Sequence, residues 1–326
     1  MLLELARGRR VLFVGGKGGV GKTSLASALA LARARAGGRV LVVSTDPAHN
    51  LGHLWNITVG DEPTRLASLP GAGAEAYVDG LEVDPGRTVD RHLAAVRRTM
   101  RRLLPERLHG QADRHLALAR AAPGTHESAV LERVAEAVAL GDAAYDLVVF
   151  DTAPSGHTLR LMALPEQLTA WTETLLANRD RSERFRAAMR GITSTRDDPG
   201  RKSDAELRRV LLRRQDRFAL LRDTVTDPTR SGFVLVLAAE RLPVAETLDV
   251  HAQLTDLGVD VAALVVNRRS PADAGGLLAA RRTQEDRQLE VVRDRIPGVP
   301  LLEIPLLPGE PVGVDGLGQL ADLVDG

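Results

Sequence analysis

Cysteine is absent from the 326 residues of this chain. Its absence excludes disulfides, zinc sites built from thiolates and cysteine nucleophiles. Aromatic residues make up only 3% of the sequence, too few for platforms that stack nucleic-acid bases. Neither sign of charge is in excess, since lysine plus arginine and aspartate plus glutamate both number 43. No overall field draws the chain to nucleic acid or lipid, and we expect no nucleic-acid partner.

Long hydrophobic runs are also missing. No stretch of 18 or more apolar residues occurs, so no integral membrane segment is expected. Residues 1–7 have Glu4 in their only apolar patch and lead into a strand-like run, which is not the pattern of a secretory signal. Together with the missing cysteine, these features indicate a cytoplasmic protein.

A glycine-rich segment with two lysines follows the apolar run 11–14. Residues 15–24 read GGKGGVGKTS, and the frame from Gly16 to Thr23 fits the Walker A pattern. Glycines there let backbone N–H groups surround phosphate oxygens, and the helix that follows directs its positive dipole end at the same anion. In this pattern Lys22 contacts the β- and γ-phosphates and the Thr23 hydroxyl binds Mg²⁺. The predicted nucleotide-binding residues of this P-loop are Gly16, Lys17, Gly18, Gly19, Val20, Gly21, Lys22, Thr23 and Ser24.

Strand-like and helix-like segments alternate along the chain. The apolar runs that predict strands, beyond 11–14, are 39–44, 146–151, 232–238 and 261–267, with a weaker one at 298–304. Such runs separated by helices favour a parallel sheet covered on both faces. The sequence therefore predicts an α/β P-loop NTPase with a doubly wound, mostly parallel sheet, whose ligands bind at the carboxyl ends of the strands.

Two helical regions interrupt the alternation, at about 87–140 and 165–222. We expect them to form a helical subdomain inserted into one ATPase domain over 1–326. Each region carries an apolar stripe at helical spacing, either for packing against the chain's own core or for contact with a partner or client. The two stripes are Val89, Leu93, Val96, Met100 and Leu104, and Leu207, Val210, Leu211, Phe218 and Leu221.

Two of the predicted strands end in acidic, polar sequences. Strand 39–44 leads into STDPAHN, and strand 146–151 leads into DTAPSGHT. A carboxylate at the tip of a hydrophobic strand is the Walker B arrangement, so we expect Asp151 to hold the Mg²⁺ shell through water and Asp46 to orient the attacking water. Gly156 would offer a backbone N–H to the γ-phosphate. The alternative for each acid is a strand-terminal aspartate that caps a helix.

Histidine and asparagine each leave two interpretations open. His49 and His53 are four residues apart, the spacing of a metal pair on one helix face, but no neighbouring carboxylate completes a zinc motif. We favour hydrogen bonding in switch loops for His49 and His157. Asn267 ends the predicted core strand 261–267, where its amide would match the edge of an adenine or form a turn.

Taken together, these segments resemble the arsenite-pump ATPase (ArsA) family, which includes the ATPases that escort tail-anchored membrane proteins and has a deviant Walker A motif. The resemblance rests on GKGGVGKTS, STDPAHN and DTAPSGHTLRLMALP, and extends from about residue 11 to 323. It implies a Mg²⁺-dependent homodimer with two facing ATP molecules. It makes Lys17, Lys22 and Asp46 catalytic, with Lys17 reaching the partner's nucleotide.

The same resemblance assigns the remaining site residues. Thr23 would be the Mg²⁺ ligand and Asp151 would act through water, while Asn267 and Pro305 would form the adenine site. The ATP state would close the dimer and hydrolysis would open it, with loops 44–53 and 151–158 reporting the nucleotide state.

The chain also departs from the family. It lacks cysteines that would bind arsenite, and Gly275 and Leu278 stand where the eukaryotic escorts have a zinc clip, so we predict no zinc. The stretch that matches the methionine-rich client groove of the escorts holds Met189 among arginines. Those arginines are Arg179, Arg181, Arg184, Arg186 and Arg190.

Three functions therefore stay open. The first is a nucleotide-gated carrier for a hydrophobic protein client or a membrane partner. The second is the catalytic subunit of an anion or arsenite efflux pump that docks on a membrane channel subunit. The third is a positioning switch of the Min/Par kind, which would require a basic amphipathic tail, whereas the tail here is short and acidic.

Overall fold

The computed structural model describes residues 1–46, 50–70, 75–103, 106–122, 125–152, 212 and 215–325. Its contacts divide the chain into two units. The first comprises Met1–Asp84, Ala137–Met162 and Asp223–Gly326, and the second comprises Pro85–Glu136 and Ala163–Arg222.

The first unit contains a sheet whose central strands have buried, apolar interiors. The strands are β1 (Val11–Gly16), β2 (Arg39–Ser44), β3 (Thr64–Ser68), β4 (Tyr77–Glu82), β5 (Leu147–Asp151), β6 (Ser231–Leu237), β7 (Val261–Arg269) and β8 (Leu301–Pro305). Their order across the sheet is β3-β4-β2-β5-β1-β6-β7-β8. All neighbours run parallel except β3 and β4, which are antiparallel. The predicted fold class, a mostly parallel α/β sheet flanked by helices, is confirmed.

Neither β3 nor β4 is among the strands predicted from the sequence. The β4 sequence, YVDGLE, includes Asp79 and Gly80, and both residue types are depleted in strands. The Asp79 carboxylate is nevertheless satisfied in the structure, since it accepts hydrogen bonds from the Tyr145 hydroxyl at 2.8 Å and from Arg65 Nε at 2.5 Å. Contacts distant in sequence therefore stabilise this edge of the sheet.

Helices cover the sheet and form the described part of the second unit. They are α1 (Leu2–Gly8), α2 (Lys22–Arg35), α3 (Asn50–Trp55), α4 (Pro85–Leu103), α5 (His109–Ala121), α6 (Thr125–Ala144), α7 (Arg241–Asp256), α8 (Gly276–Arg295) and α9 (Gly313–Asp325). The helix after the P-loop, α2, is buried on nearly all sides, which explains its uniform alanine and leucine content. Among the helices in the described ranges, none is long and apolar enough to cross a membrane.

In the second unit, α4 packs against α5. Arg97 and Arg101 of α4 both pair with Asp113 of α5, at 2.9 and 3.1 Å. Val89 of the predicted α4 stripe is buried. The predicted client stretch around Met189 lies outside the described residues.

The register brings three strand ends together in the first unit. Val14 of β1 and Ser44 of β2 both align with Asp151 of β5. Phe13 of β1 stacks on Phe150 of β5, with ring centroids 4.9 Å apart. The P-loop and the segments that begin at Ser44 and Asp151 therefore leave the sheet at the same edge.

Candidate active site

The P-loop connects β1 to α2 through glycines whose backbone conformation disfavours any residue with a side chain. Gly16, Gly19 and Gly21 have φ values of +145°, +80° and +94°, a region that L side chains rarely adopt. A Cβ atom on Gly16 would collide with the Val236 carbonyl oxygen, and one on Gly21 would collide with the Asn267 amide nitrogen. The glycines are thus required by backbone conformation and by close neighbours.

Lys22 is folded back over this loop. Lys22 is only 5% exposed, and its Nζ donates a hydrogen bond to the Lys17 carbonyl oxygen at 3.0 Å. Burial lowers the pKa of Lys22, while the nearby Asp151 and Asp46 carboxylates act in the opposite direction. The three predicted side chains Lys22, Asp46 and Asp151 therefore share one electrostatic environment.

Thr23 and Asp151 form the tightest contact of the site. The Thr23 hydroxyl donates to Asp151 Oδ2 at 2.6 Å. Asp151 is 1% exposed, and its Oδ1 has no hydrogen-bond partner among the described residues. Burial raises the pKa of Asp151 to about 6, with the Asp46 charge adding to the rise and the Thr23 hydrogen bond and the Lys22 charge opposing it.

This pair fits a magnesium ion. A buried carboxylate oxygen that lacks a partner and a hydroxyl at its side are hard oxygen donors of the kind Mg²⁺ prefers. Two acidic groups, Asp46 and Asp151, supply the negative charge. The donors are therefore of the kind that the sequence predicts for Thr23 and Asp151.

Asp46 lies directly beyond β2 and is partly exposed. Its backbone N–H donates to Ser44 Oγ at 3.4 Å, and the N–H of the preceding Thr45 donates to the Asp151 carbonyl at 2.9 Å. The predicted switch residues His49, Gly156 and His157 lie outside the described residues. His53 is exposed in α3, and within the described ranges there is no cluster of three or more histidine and acidic side chains able to hold a metal.

Lys17 pairs with an acid that the sequence analysis does not identify. Its Nζ lies 3.2 Å from Oε1 of Glu246 on α7 of the same chain, with the two side chains 33% and 37% exposed. A cavity of about 280 Å³ adjoins the loop here, lined by Lys17, Leu242, Arg268 and Glu285 among others. Lys17 and Glu246 are 229 positions apart in the sequence, so no local pattern predicts this pair.

The two predicted adenine residues lie near the ends of neighbouring strands. Asn267 does not end its strand as predicted, because β7 continues to Arg269. Its Nδ2 donates to the Val20 carbonyl of the P-loop at 2.8 Å, and its Oδ1 accepts from the Arg268 N–H at 2.9 Å. Pro305 is the last residue of β8 and is exposed.

Comparison with known proteins gives one consistent family. The sequence profile of the anion-transporting ATPases matches residues 9–326. ATPase ASNA1 homolog 1 of Paramecium tetraurelia is 29% identical and aligns over 96% of this chain and 91% of its own length. The arsenical pump-driving ATPase of Escherichia coli is 30% identical over 95% of this chain. The chain spans 48% of that Escherichia coli protein and 44% of a relative from Halobacterium salinarum that is 31% identical.

Proposed function

This chain belongs to the anion-transporting ATPase family and is therefore an ATPase, and we propose that it hydrolyses ATP to ADP and phosphate at the P-loop described above. The observation that carries the proposal is the convergence of the Thr23–Asp151 pair, Lys22 and Asp46 at the ends of three neighbouring parallel strands. Residues 1–326 act in this proposal as one ATPase domain with helical insertions at about 87–140 and 165–222.

The P-loop residues hold the substrate. The N–H groups from Gly16 to Ser24 and the start of α2 surround the phosphates. Lys22 exchanges its bond to the Lys17 carbonyl for contacts to the β- and γ-phosphates. Asn267 and Pro305 contact the adenine.

Asp46 acts on the nucleophile. Its carboxylate accepts a hydrogen bond from the attacking water and aligns that water with the γ-phosphorus, as a positioning residue does in other phosphoryl transfers. Thr23 and Asp151 hold Mg²⁺, the latter through water. When bound, the ion neutralises charge that develops on the phosphate oxygens.

We further propose that the protein works as a homodimer. Lys17 leaves Glu246 and reaches the nucleotide of the partner subunit, so that the catalytic charge is complete only in the closed dimer. Loops 44–53 and 151–158 respond to hydrolysis and open the dimer. The dimer then carries a hydrophobic protein client or couples to a membrane channel subunit, and the cytoplasmic location stays a prediction from composition.

An arsenite or anion pump is the second candidate, because relatives named as arsenical pump-driving ATPases match over most of this chain. The missing cysteines argue against activation by a metalloid, since soft trivalent arsenic prefers thiolates. They do not argue against docking on a channel.

Two variants test the ATPase site. Lys22→Ala should abolish ATP binding, because Lys22 contacts the phosphates of the ground state. Asp46→Asn should keep ATP binding and lose turnover on the order of 10²–10³-fold, because it removes only the positioning of water. Isothermal titration with ATP and Mg²⁺, and phosphate release, separate these effects.

The matched control is Asp256→Asn, which should behave as wild type. Asp256 is an exposed aspartate at the end of α7. A fully active Asp46→Asn would move the catalytic role to another residue. Normal ATP binding by Lys22→Ala would overturn the proposed phosphate site.

A further inference from the structure

An arginine is buried at the end of β7. Arg269 is the largest of the fully buried side chains among the described residues, and its side chain is 1% exposed. Nε donates to Glu303 at 2.7 Å, Nη1 to Glu285 at 2.6 Å and Nη2 to Asp286 at 2.5 Å. The guanidinium thus joins β7 to α8 and to β8. Its three carboxylate partners also form ion pairs with Arg281, Arg282 and Arg293.

Arg269 is attached to both halves of the proposed adenine site. Asn267 precedes it by two residues in the same strand. On the other side, Pro305 is its register partner in β8, and the Leu306 N–H donates to the Arg269 carbonyl at 2.8 Å. Glu303 lies two residues before Pro305, and its ion pair with Arg269 is a second link between β7 and β8.

The backbone between Asn267 and Arg269 is held in an unfavourable conformation. Arg268 has a φ of +58°, in the left-handed region that is unfavourable for a residue with a Cβ atom. The N–H of Arg268 donates to Asn267 Oδ1, and this leaves Asn267 Nδ2 directed at the Val20 carbonyl. A strained residue persists where its surroundings over-determine it, and the buried Arg269 provides that constraint.

We infer that Arg269 is a positioning residue for the nucleotide base. It fixes Asn267 and Pro305 relative to each other and to the P-loop, and it touches neither phosphate nor base itself. This inference rests on the proposed function, since it deepens the assignment of the adenine site. It also predicts that a substitution of Arg269 weakens binding of the base and leaves binding of the phosphates unchanged.

Arg269→Lys is the first test, because lysine keeps the charge but not the fork of donors that reaches three carboxylates. Binding of ATP and of inorganic tripolyphosphate, which lacks a base, is measured by titration calorimetry with Mg²⁺. We expect ATP affinity to fall about tenfold and the preference for ATP over GTP to fall with it, as in other sites that lose a base-reading contact. Tripolyphosphate affinity should stay within about twofold, and KM for ATP should rise while kcat stays within about threefold.

Glu303→Gln serves where the first variant does not fold, since Glu303 is partly exposed and Arg269 keeps two other carboxylates. This variant should also lower ATP affinity, by a smaller factor than Arg269→Lys, and leave tripolyphosphate affinity nearly unchanged. Arg133→Lys is the matched control: Arg133 is a buried arginine of the second unit, 2.6 Å from Glu136, and its replacement should leave both ligands unaffected.

Equal losses for ATP and tripolyphosphate, or no loss for ATP, would overturn the role of Arg269. A wild-type protein that binds neither ligand would instead refute the proposed function. The two failures are therefore distinguishable in one set of titrations.

Discussion

Several charged side chains are buried in this protein, and Glu285 is the clearest case outside the proposed active site. Its side chain is 5% exposed, and it accepts hydrogen bonds from the Ser270 hydroxyl at 2.7 Å and from Arg269 at 2.6 Å. Burial by itself would raise the pKa of Glu285, but the Ser270 and Arg281 hydrogen bonds and the Arg269 charge hold this pKa below its ordinary value. Ionised Glu285 therefore stabilises the fold.

The sign of the pH dependence follows from that lowered pKa. The stabilisation is present above the ordinary glutamate pKa of about 4.5 and is lost as the pH falls through the lower value of the folded state. Between about pH 5 and pH 3 the free energy of unfolding of the wild type should fall more steeply than that of Glu285→Gln, by at most about 1.4 kcal/mol per pH unit. Urea unfolding at several pH values measures both slopes.

Glu290→Gln, at an exposed position of the same helix, is the control and should follow the wild-type slope. At pH 7, Glu285→Gln should be less stable than wild type by about 1–3 kcal/mol. The substitution replaces the charged acceptor of the buried Arg269 hydrogen bond with a neutral amide. Parallel curves for wild type and Glu285→Gln would contradict this account of Glu285.

Among the secondary-structure elements, α3 connects the proposed switch loop to the P-loop helix. The indole N–H of Trp55 donates to Ser27 Oγ of α2 at 3.0 Å, and Trp55 is 2% exposed. The Gly52 N–H of the same helix donates to Glu82 Oε1 at the end of β4, also at 3.0 Å. These two bonds fix α3 against both α2 and the sheet.

Trp55→Phe should remove the hydrogen bond and part of the buried volume, and lower the free energy of unfolding by about 1–3 kcal/mol. Ser27→Ala is the comparison, because it removes the same hydrogen bond but keeps the indole, and should cost about 1 kcal/mol. Urea denaturation of both variants measures the difference. Equal stability of Trp55→Phe and wild type would show that this contact does not anchor α3.

The elements differ in how far the sequence alone predicts them. The run 39–44 matches β2 residue for residue, and the runs for β1 and β5 differ only at their ends, because each strand has a continuous apolar interior. Their alternation with helices also predicts the parallel sheet and the shared edge that carries the P-loop and the two acids. The antiparallel edge strand β3 and its neighbour β4 have no such pattern.

Parts of the site depend on contacts that no local pattern contains. The predicted strand at 261–267 omits Arg268 and Arg269, whereas β7 continues to Arg269. The Arg269 side chain is buried there with hydrogen bonds to three carboxylates of α8 and β8, which lie far from it in sequence. The pairing of Lys17 with Glu246 likewise appears only after folding brings α7 beside the loop.

For the whole molecule, the missing cysteines give a prediction about metals. The purified protein should contain no zinc, and arsenite or antimonite should leave its ATPase rate unchanged, because no thiolate is available to bind a soft metal or metalloid. Elemental analysis and phosphate release with and without metalloid check the two parts separately. Clear stimulation by arsenite would defeat the argument from cysteine and revive the pump activity as the leading function.

The proposed dimer makes Lys17 a residue that acts on the partner's site. Within one chain Lys22 is the lysine of the proposed phosphate site, and Lys17 is paired with Glu246. A lysine supplied by the partner would couple hydrolysis to closure, as an arginine finger does in trans. Lys17→Ala should therefore bind ATP nearly normally and fail to hydrolyse it.

Mixing Lys17→Ala with Asp46→Asn subunits tests this central claim most directly. If Lys17 acts in trans, each mixed dimer has one site that lacks both residues and one intact site. It should then regain about half the activity of a wild-type dimer, on the assumption that the sites work independently. Phosphate release by the two inactive variants, measured separately and after subunit exchange, is the readout. Recovery of activity on mixing is the predicted result, and a mixture as inactive as its components would contradict a dimer in which Lys17 completes the partner's site.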